Sequence, residues 1–156
     1  MNNTFYYETI IGKIGIIENG TAITNMYIAE KIPEDINMGE TQLLKKANQQ
    51  LQEYLIGKRK IFDLPLAPRG TEFQQKVWSS LQEIPYGKTN SYKDIAKNIG
   101  NIKACRAVGM ANNKNPILIF IPCHRVIGAN GKLVGYAGGL NVKEKLLEIE
   151  KQNANS

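Results

Sequence analysis

Ile117-Leu118-Ile119-Phe120-Ile121-Pro122-Cys123-His124-Arg125-Val126-Ile127-Gly128 is the stretch on which the reading of this chain turns. Five apolar residues run without a break into Pro-Cys-His-Arg. A short, isoleucine-rich apolar run bounded by a proline predicts a buried strand. Pro122 has no N–H to offer a ladder, so pairing is expected to stop there. The strand would deliver Cys123 at its end, beside the only histidine of the chain. A thiol next to an imidazole is a candidate nucleophile with its base. Neighbours on an extended chain face opposite ways, so a turn or a bridging water has to join them. A neighbouring imidazole or cation lowers a thiol pKa. Adjacency alone does not suffice, so a lowered value is expected for Cys123 if a carboxylate holds His124 in the right tautomer. The other cysteine, Cys105, has no histidine near it in sequence and reads as a packing residue.

The rest of the motif set lies around this stretch. Arg106-Ala107-Val108-Gly109 and Asn115-Pro116 precede it, and Gly135-Tyr136-Ala137-Gly138-Gly139 and Lys143-Glu144 follow. With Ile-Pro-Cys-His-Arg-Val, these residues resemble the active-site signature of the O6-alkylguanine-DNA alkyltransferases, also called methylated-DNA–protein-cysteine methyltransferases. The resemblance is continuous over residues 71 to 150, and the first half matches only in its general pattern.

Composition sets bounds on the fold. At 156 residues the chain fits one domain or two small ones. No apolar run long enough to span a membrane occurs, and the N-terminus has no signal-peptide pattern. A reactive thiol needs a reducing compartment, so a cytoplasmic location is expected. Residues 1–69 carry eight Lys/Arg and eight Asp/Glu, whereas residues 70–156 carry twelve and six. The net charge of +6 therefore sits in the second half. Nucleic acid is the first partner such asymmetry suggests, and a solvated basic surface is the other reading.

Taken in order, residues 4–10, 13–18 and 21–28 read as strands, with turns at Gly12 and Asn19-Gly20. Residues 40–56 predict a helix with Leu44, Ala47, Leu51 and Leu55 on one face and Gly57 at its stop. Ile61-Phe62 is a candidate short strand, and Leu64 to Gly70, with two prolines, is a candidate linker. The fold class is thus α+β, in two domains. Residues 1–66 form a small hairpin-and-helix domain, and residues 67–156 a mostly helical one. In the second, Phe73, Val77, Trp78, Leu81 and Ile84 mark a helix ended by Pro85-Tyr86-Gly87. Ser91-Tyr92-Lys93-Asp94 opens a short helix with a capping box. Ile102, Cys105 and Val108 mark the apolar side of the next, and the pair predicts a helix-turn-helix. Residues 127–134 predict a hairpin-like wing, and the last helix starts at Asn141. On that helix Val142, Leu146 and Ile149 share a face onto which Glu150 also projects, and an inward carboxylate requires a partner.

The resemblance implies functions for these positions. It makes Cys123 the alkyl acceptor, activated through a Glu150–His124–water relay. Tyr92 would stand by the flipped nucleotide, although its pattern equally fits a core aromatic at a helix start. Arg106 would fill the space that the extruded nucleotide leaves. Asn115 would brace the turn around the reactive segment. Tyr136, Ala137 and Gly138 would form the substrate loop, with Val126 accepting from guanine through its carbonyl. Many relatives carry serine where this chain has Ala137, which leaves a backbone N–H but no hydroxyl. The implied activity is a single-turnover methylated-DNA–[protein]-cysteine S-methyltransferase that repairs O6-alkylguanine in double-stranded DNA. It would act as a monomer and without a cofactor. O4-alkylthymine stays open as a second substrate. The alternative is a non-catalytic winged-helix protein that recognises alkylated DNA, although relatives of that kind usually carry tryptophan in place of the cysteine. Some relatives hold a structural zinc in the N-terminal domain, but one histidine and two cysteines do not supply such a set here. No metal is expected.

Overall fold

The computed structural model describes residues 2–29 and 32–155. These divide into two compact units, one of residues 1–69 with Pro116–Leu118, the other of residues 70–115 and 119–156.

The first unit is a four-stranded sheet with one helix. Strands β1 (Asn3–Thr9), β2 (Gly12–Glu18), β3 (Ile23–Ile28) and β4 (Asn37–Met38) are ordered β3-β2-β1-β4. β1 and β2 pair antiparallel from Asn3↔Glu18 to Thr9↔Gly12, and Gly12 takes the positive φ (106°) that the tight turn needs. The second hairpin closes over residues 19–22, where the Asn19 side chain accepts from the backbone of Thr21 and Ala22. Helix α1 (Gln42–Leu55) is capped by Thr41, whose hydroxyl accepts from Leu44 N–H, and it buries Leu44, Ala47, Leu51 and Tyr54.

Two expectations for this unit need correction. Ile61-Phe62 forms no strand. The Phe62 ring packs on Tyr54 with centroids 5.3 Å apart, and the Gln50 side chain satisfies the Asp63 backbone in place of a strand partner. The stretch read as a linker is held on the outer edge of β3. Pro65 O accepts from Ile23 N–H, and Ala67 N–H donates to Ile23 O, both at 2.8 Å. Further along the same edge, Met26 N–H donates to Pro116 O at 2.9 Å. Covering an exposed strand edge removes a template for unwanted pairing.

The second unit holds helices α2 (Glu72–Gln82), α3 (Tyr92–Asn98), α4 (Cys105–Asn113) and α5 (Leu140–Asn153). Capping boxes fix the starts of α2 (Thr71 with Gln74) and α3 (Ser91 with Asp94). Trp78 is buried and its indole N–H donates to Ala111 O at 2.9 Å, which ties α2 to α4. α3 packs against α4 across a turn containing Gly100, as a helix-turn-helix requires.

The apolar run at the centre of the sequence is not a strand. Ile117, Leu118 and Ile121 make single bridges only, and a turn intervenes at Ile119–Phe120. Ile119 adopts φ +71°, which is strained for a β-branched residue. Every residue from 117 to 121 is buried, so unbroken hydrophobicity here reports a buried turn. The wing is also reduced. Gly128 N–H donates to Lys132 O, but among the described residues no strand follows β6 (Val126–Ile127) before α5. β6 pairs instead with β5 (Asn90–Ser91), parallel. Ile102, expected on the apolar side of α4, is 54% exposed, and Cys105 is half-buried. The turn before α4 places them at its rim.

Candidate active site

Cys123 lies at the start of a 3-10 turn, Cys123–Arg125, and is buried. Cys123 N–H donates to Ile121 O and Arg125 N–H to Pro122 O, so Pro122 costs the turn no donor. The side chain of Asn115 clamps the entry. Its amide donates to Ile121 O at 2.8 Å and also toward the Cys123 sulfur.

The turn sends His124 and Arg125 to one carboxylate. His124 Nε2 lies 2.7 Å from Glu150 Oε2, with His124 unexposed and Glu150 1% exposed. Arg125 grips the same group with both ends of its fork. Nε donates to Oε1 at 2.9 Å and Nη2 to Oε2 at 3.1 Å, while Nη1 donates to Ile84 O. Gly87 N–H is a fourth donor to this carboxylate, reaching Oε1 at 3.0 Å. Gly87 adopts φ +80°, and a Cβ there would meet Ala154 Cβ at 2.7 Å. The residue read as a helix stop thus brings its backbone to the carboxylate, and only glycine fits.

Protonation states follow from this packing. Burial alone would raise the Glu150 pKa, but the hydrogen bonds and charges of His124 and Arg125 hold it at about 2. Glu150 is therefore an anion that only accepts, so the proton of the neutral imidazole sits on Nε2 and the lone pair on Nδ1. Burial lowers the His124 pKa, against the opposing pull of Glu150, which keeps the ring neutral. Cys123 departs from the expected lowering. Burial pushes its thiol up to about 11, and Asn115 and the positive charge of Lys143 offset only part of that. A neighbouring imidazole does not lower a thiol pKa when the imidazole is itself uncharged and both groups are out of water.

Lys143 belongs to the Lys143-Glu144 motif, but the sequence assigns it no role. It is fully buried, and its ammonium donates to three carbonyls, Val126 O at 2.7 Å, Val134 O at 2.9 Å and Gly135 O at 3.2 Å. Those bonds fix the segment from β6 to the Gly-Tyr-Ala-Gly-Gly loop. The Tyr92 hydroxyl joins them, donating to Val134 O at 3.3 Å. Lys143 and Glu150 are seven residues apart, two helical turns, on the buried face of α5 with Leu146 between them. That spacing marks the inward position of Lys143, beside the Lys143-Glu144 motif itself.

The loop itself turns at Ala137-Gly138, closed by Gly139 N–H donating to Tyr136 O. The Tyr136 hydroxyl is buried, and its pKa is raised well above the ordinary value, by burial first and then by the nearness of Cys123 and Glu150. Tyr92 is raised likewise by burial and by Cys123. Cys123, His124, Glu150, Asn115, Tyr92 and Tyr136 thus converge, and Val126 joins them through Lys143. Ala137 is exposed on the loop, and Arg106 is exposed on α4. Among the described residues no group of three or more His, Cys, Asp or Glu is placed to hold a metal ion. No described helix is long and apolar enough to cross a membrane.

Comparison with known proteins gives the family. Residues 72–152 match the family description "6-O-methylguanine DNA methyltransferase, DNA binding domain", and residues 4–68 match "6-O-methylguanine DNA methyltransferase, ribonuclease-like domain". A methylated-DNA–protein-cysteine methyltransferase of Methanosarcina acetivorans is 53% identical, over 92% of this chain and 95% of its own length. The constitutive one of Bacillus subtilis is 46% identical, over 97% and 96%. Among solved structures, Mycobacterium tuberculosis OGT in complex with DNA superposes with a TM-score of 0.91 at 44% identity, covering 97% of this chain and 94% of that one. Over nearly its whole length, this chain belongs to the methylated-DNA–protein-cysteine methyltransferase family.

Proposed function

We propose that this chain repairs alkylated DNA by moving an alkyl group, methyl in the first instance, from O6 of guanine onto its own Cys123. The observation that carries the reading is the buried Glu150–His124 pair, at 2.7 Å, next in sequence to a buried thiol. In the reaction the sulfur–carbon bond forms as the carbon–O6 bond breaks. The thiol proton passes through water to His124 Nδ1, and Glu150 stabilises the resulting imidazolium. The electron pair leaves on guanine, steadied by Tyr92 and by backbone donors of the Tyr136-Ala137-Gly138 loop. Because Tyr92 donates to Val134 O in the free protein, it must change partner to reach guanine. Val126 O, already engaged by Lys143, has a second lone pair with which to accept from the guanine amine. The product is a thioether, which thiols do not reverse, so each molecule acts once.

The thiol pKa of about 11 fits this scheme. A resting neutral thiol is protected from stray oxidants and electrophiles, and becomes a nucleophile when the relay takes its proton. The target base has to leave the duplex to reach a buried sulfur. Arg106, on the exposed face of α4, is the planar cation that would fill the space it leaves, with α4 laid in the minor groove. The substrate is then double-stranded DNA, the working form is a monomer, and a free catalytic thiol suits a reducing compartment such as the cytoplasm.

Cys123→Ala tests the catalytic reading against the non-catalytic one. Loss of all alkyl transfer with duplex affinity retained is expected. Transfer that survives in the variant, or a parent protein that binds O6-methylguanine duplex and never transfers, contradicts the proposal.

A further inference from the structure

Helix α4 turns Val108, Ala111 and Asn112 inward and leaves Arg106, Ala107, Met110 and Asn113 outward. Arg106 and Met110 are four residues apart, so they stand one above the other on the same side. Met110 is 65% exposed, and no packing reason in its own unit accounts for a methionine there. Around it the charges have one sign. Residues 92–114 hold Lys93, Lys97, Lys103, Arg106 and Lys114, all exposed, against a single carboxylate, Asp94, which is taken up in the capping box of α3. An apolar thioether ringed by cations suits a partner that presents anions with apolar surface between them. Nucleic acid does so, with phosphates flanking sugars and base edges. A second copy of the same face does not, because it would set five cations against five.

We infer that Met110 is a second DNA-contacting residue of α4. Its side chain would lie in the groove one helical turn from Arg106, against sugars and base edges, while the surrounding lysines meet phosphates. Apolar side chains used in this way lean on a base step and loosen its stacking, which assists extrusion of the neighbouring nucleotide. Methionine suits the task because its unbranched chain adapts to any sequence of steps. This inference rests on the proposed placing of α4 on DNA.

The test uses the full chain with Met110→Ala and Met110→Leu. Affinity for duplex DNA carrying O6-methylguanine is measured over a range of salt, with the rates of transfer from that duplex and from the free base O6-benzylguanine. Met110→Ala is expected to weaken duplex binding roughly tenfold at every salt concentration, since apolar contact is lost and no charge is removed. Duplex transfer at subsaturating protein slows to match, the free-base rate stays at the parent value, and Met110→Leu recovers most of the loss. Duplex affinity of Met110→Ala within about twofold of the parent overturns the inference. So does an equal slowing on both substrates, or a parent that self-associates without DNA and is made monomeric by the substitution. A parent that binds duplex but transfers to neither substrate would instead refute the proposed function, and the binding comparison would still decide the role of Met110.

Discussion

The pH dependence of Cys123 alkylation by a small electrophile separates the buried-thiol picture from an activated-thiolate one. The perturbation is pH itself, applied to Cys105→Ser protein so that only Cys123 reports. With its thiol at about 11, only about one molecule in three thousand carries the thiolate at pH 7.5, about a hundredfold fewer than for a thiol at 9.0. Higher thiol basicity returns about tenfold in intrinsic nucleophilicity, so the net rate is about tenfold below that of an ordinary thiol. Restricted access in the buried site slows it further. Carbamidomethylation by iodoacetamide, followed by intact mass, should rise about tenfold per pH unit from 7 to 9.5 without levelling. Lys143→Met removes a charge that holds the thiol down and should slow the reaction further at each pH. Transfer from DNA should behave differently, because neutral His124 takes the proton. Its rate should stay nearly flat over the same range and decline only when acid protonates the ring. A plateau of the small-electrophile rate near neutrality would refute the buried-thiol account and restore a preformed thiolate.

Other variants probe the carboxylate and α4. Glu150→Gln leaves the buried Arg125 guanidinium without its counter-charge, so thermal or chaotrope unfolding should show a loss of about 3–5 kcal/mol, together with slower transfer. Equal stability in the variant would mean that the Arg125 fork contributes nothing net. Unfolding stability should fall as pH drops, first below 6.5, where the unfolded state protonates His124 and the folded state resists, then from 4.5 toward 2, where the same holds for Glu150. A pH-independent unfolding midpoint from 7 to 5 would contradict the first assignment, and one from 4.5 to 2 the second. Arg106→Ala should slow transfer within duplex DNA far more than transfer from a free base, since a free base needs no extrusion. Equal slowing on both substrates would remove Arg106 from the extrusion step.

Local signals in the sequence sufficed for what they govern. Strand alternation and turn residues place the hairpins of the first unit, and Ser91 with Asp94 marks the start of α3 through the two bonds the capping box makes. Glu150 was also visible, because a carboxylate on the buried face of an otherwise apolar helix asks for a partner, and His124 is there at 2.7 Å. The misread elements depend on contacts made far along the chain. A run in which every residue is buried has no alternation, so residues 117–121 gave no means of separating a strand from a turn with Ile119 at φ +71°. Gly87 reaches Glu150 across 63 residues and Arg125 reaches Ile84 across 41, and neither distance leaves a trace in periodicity. The thiol pKa departs from expectation because the carboxylate does hold the imidazole, yet burial leaves His124 neutral and raises the thiol itself.

The central claim is that this protein takes the alkyl group onto Cys123 once and for good. Protein mixed with excess duplex DNA carrying O6-methylguanine, then examined by intact mass and peptide mapping, tests it directly. The account predicts that each molecule gains one methyl group in exchange for the thiol proton, located on Cys123, with repaired guanine formed in equal amount. Repaired guanine in excess of protein, a methyl group mapped to Cys105, or unchanged protein mass would contradict it.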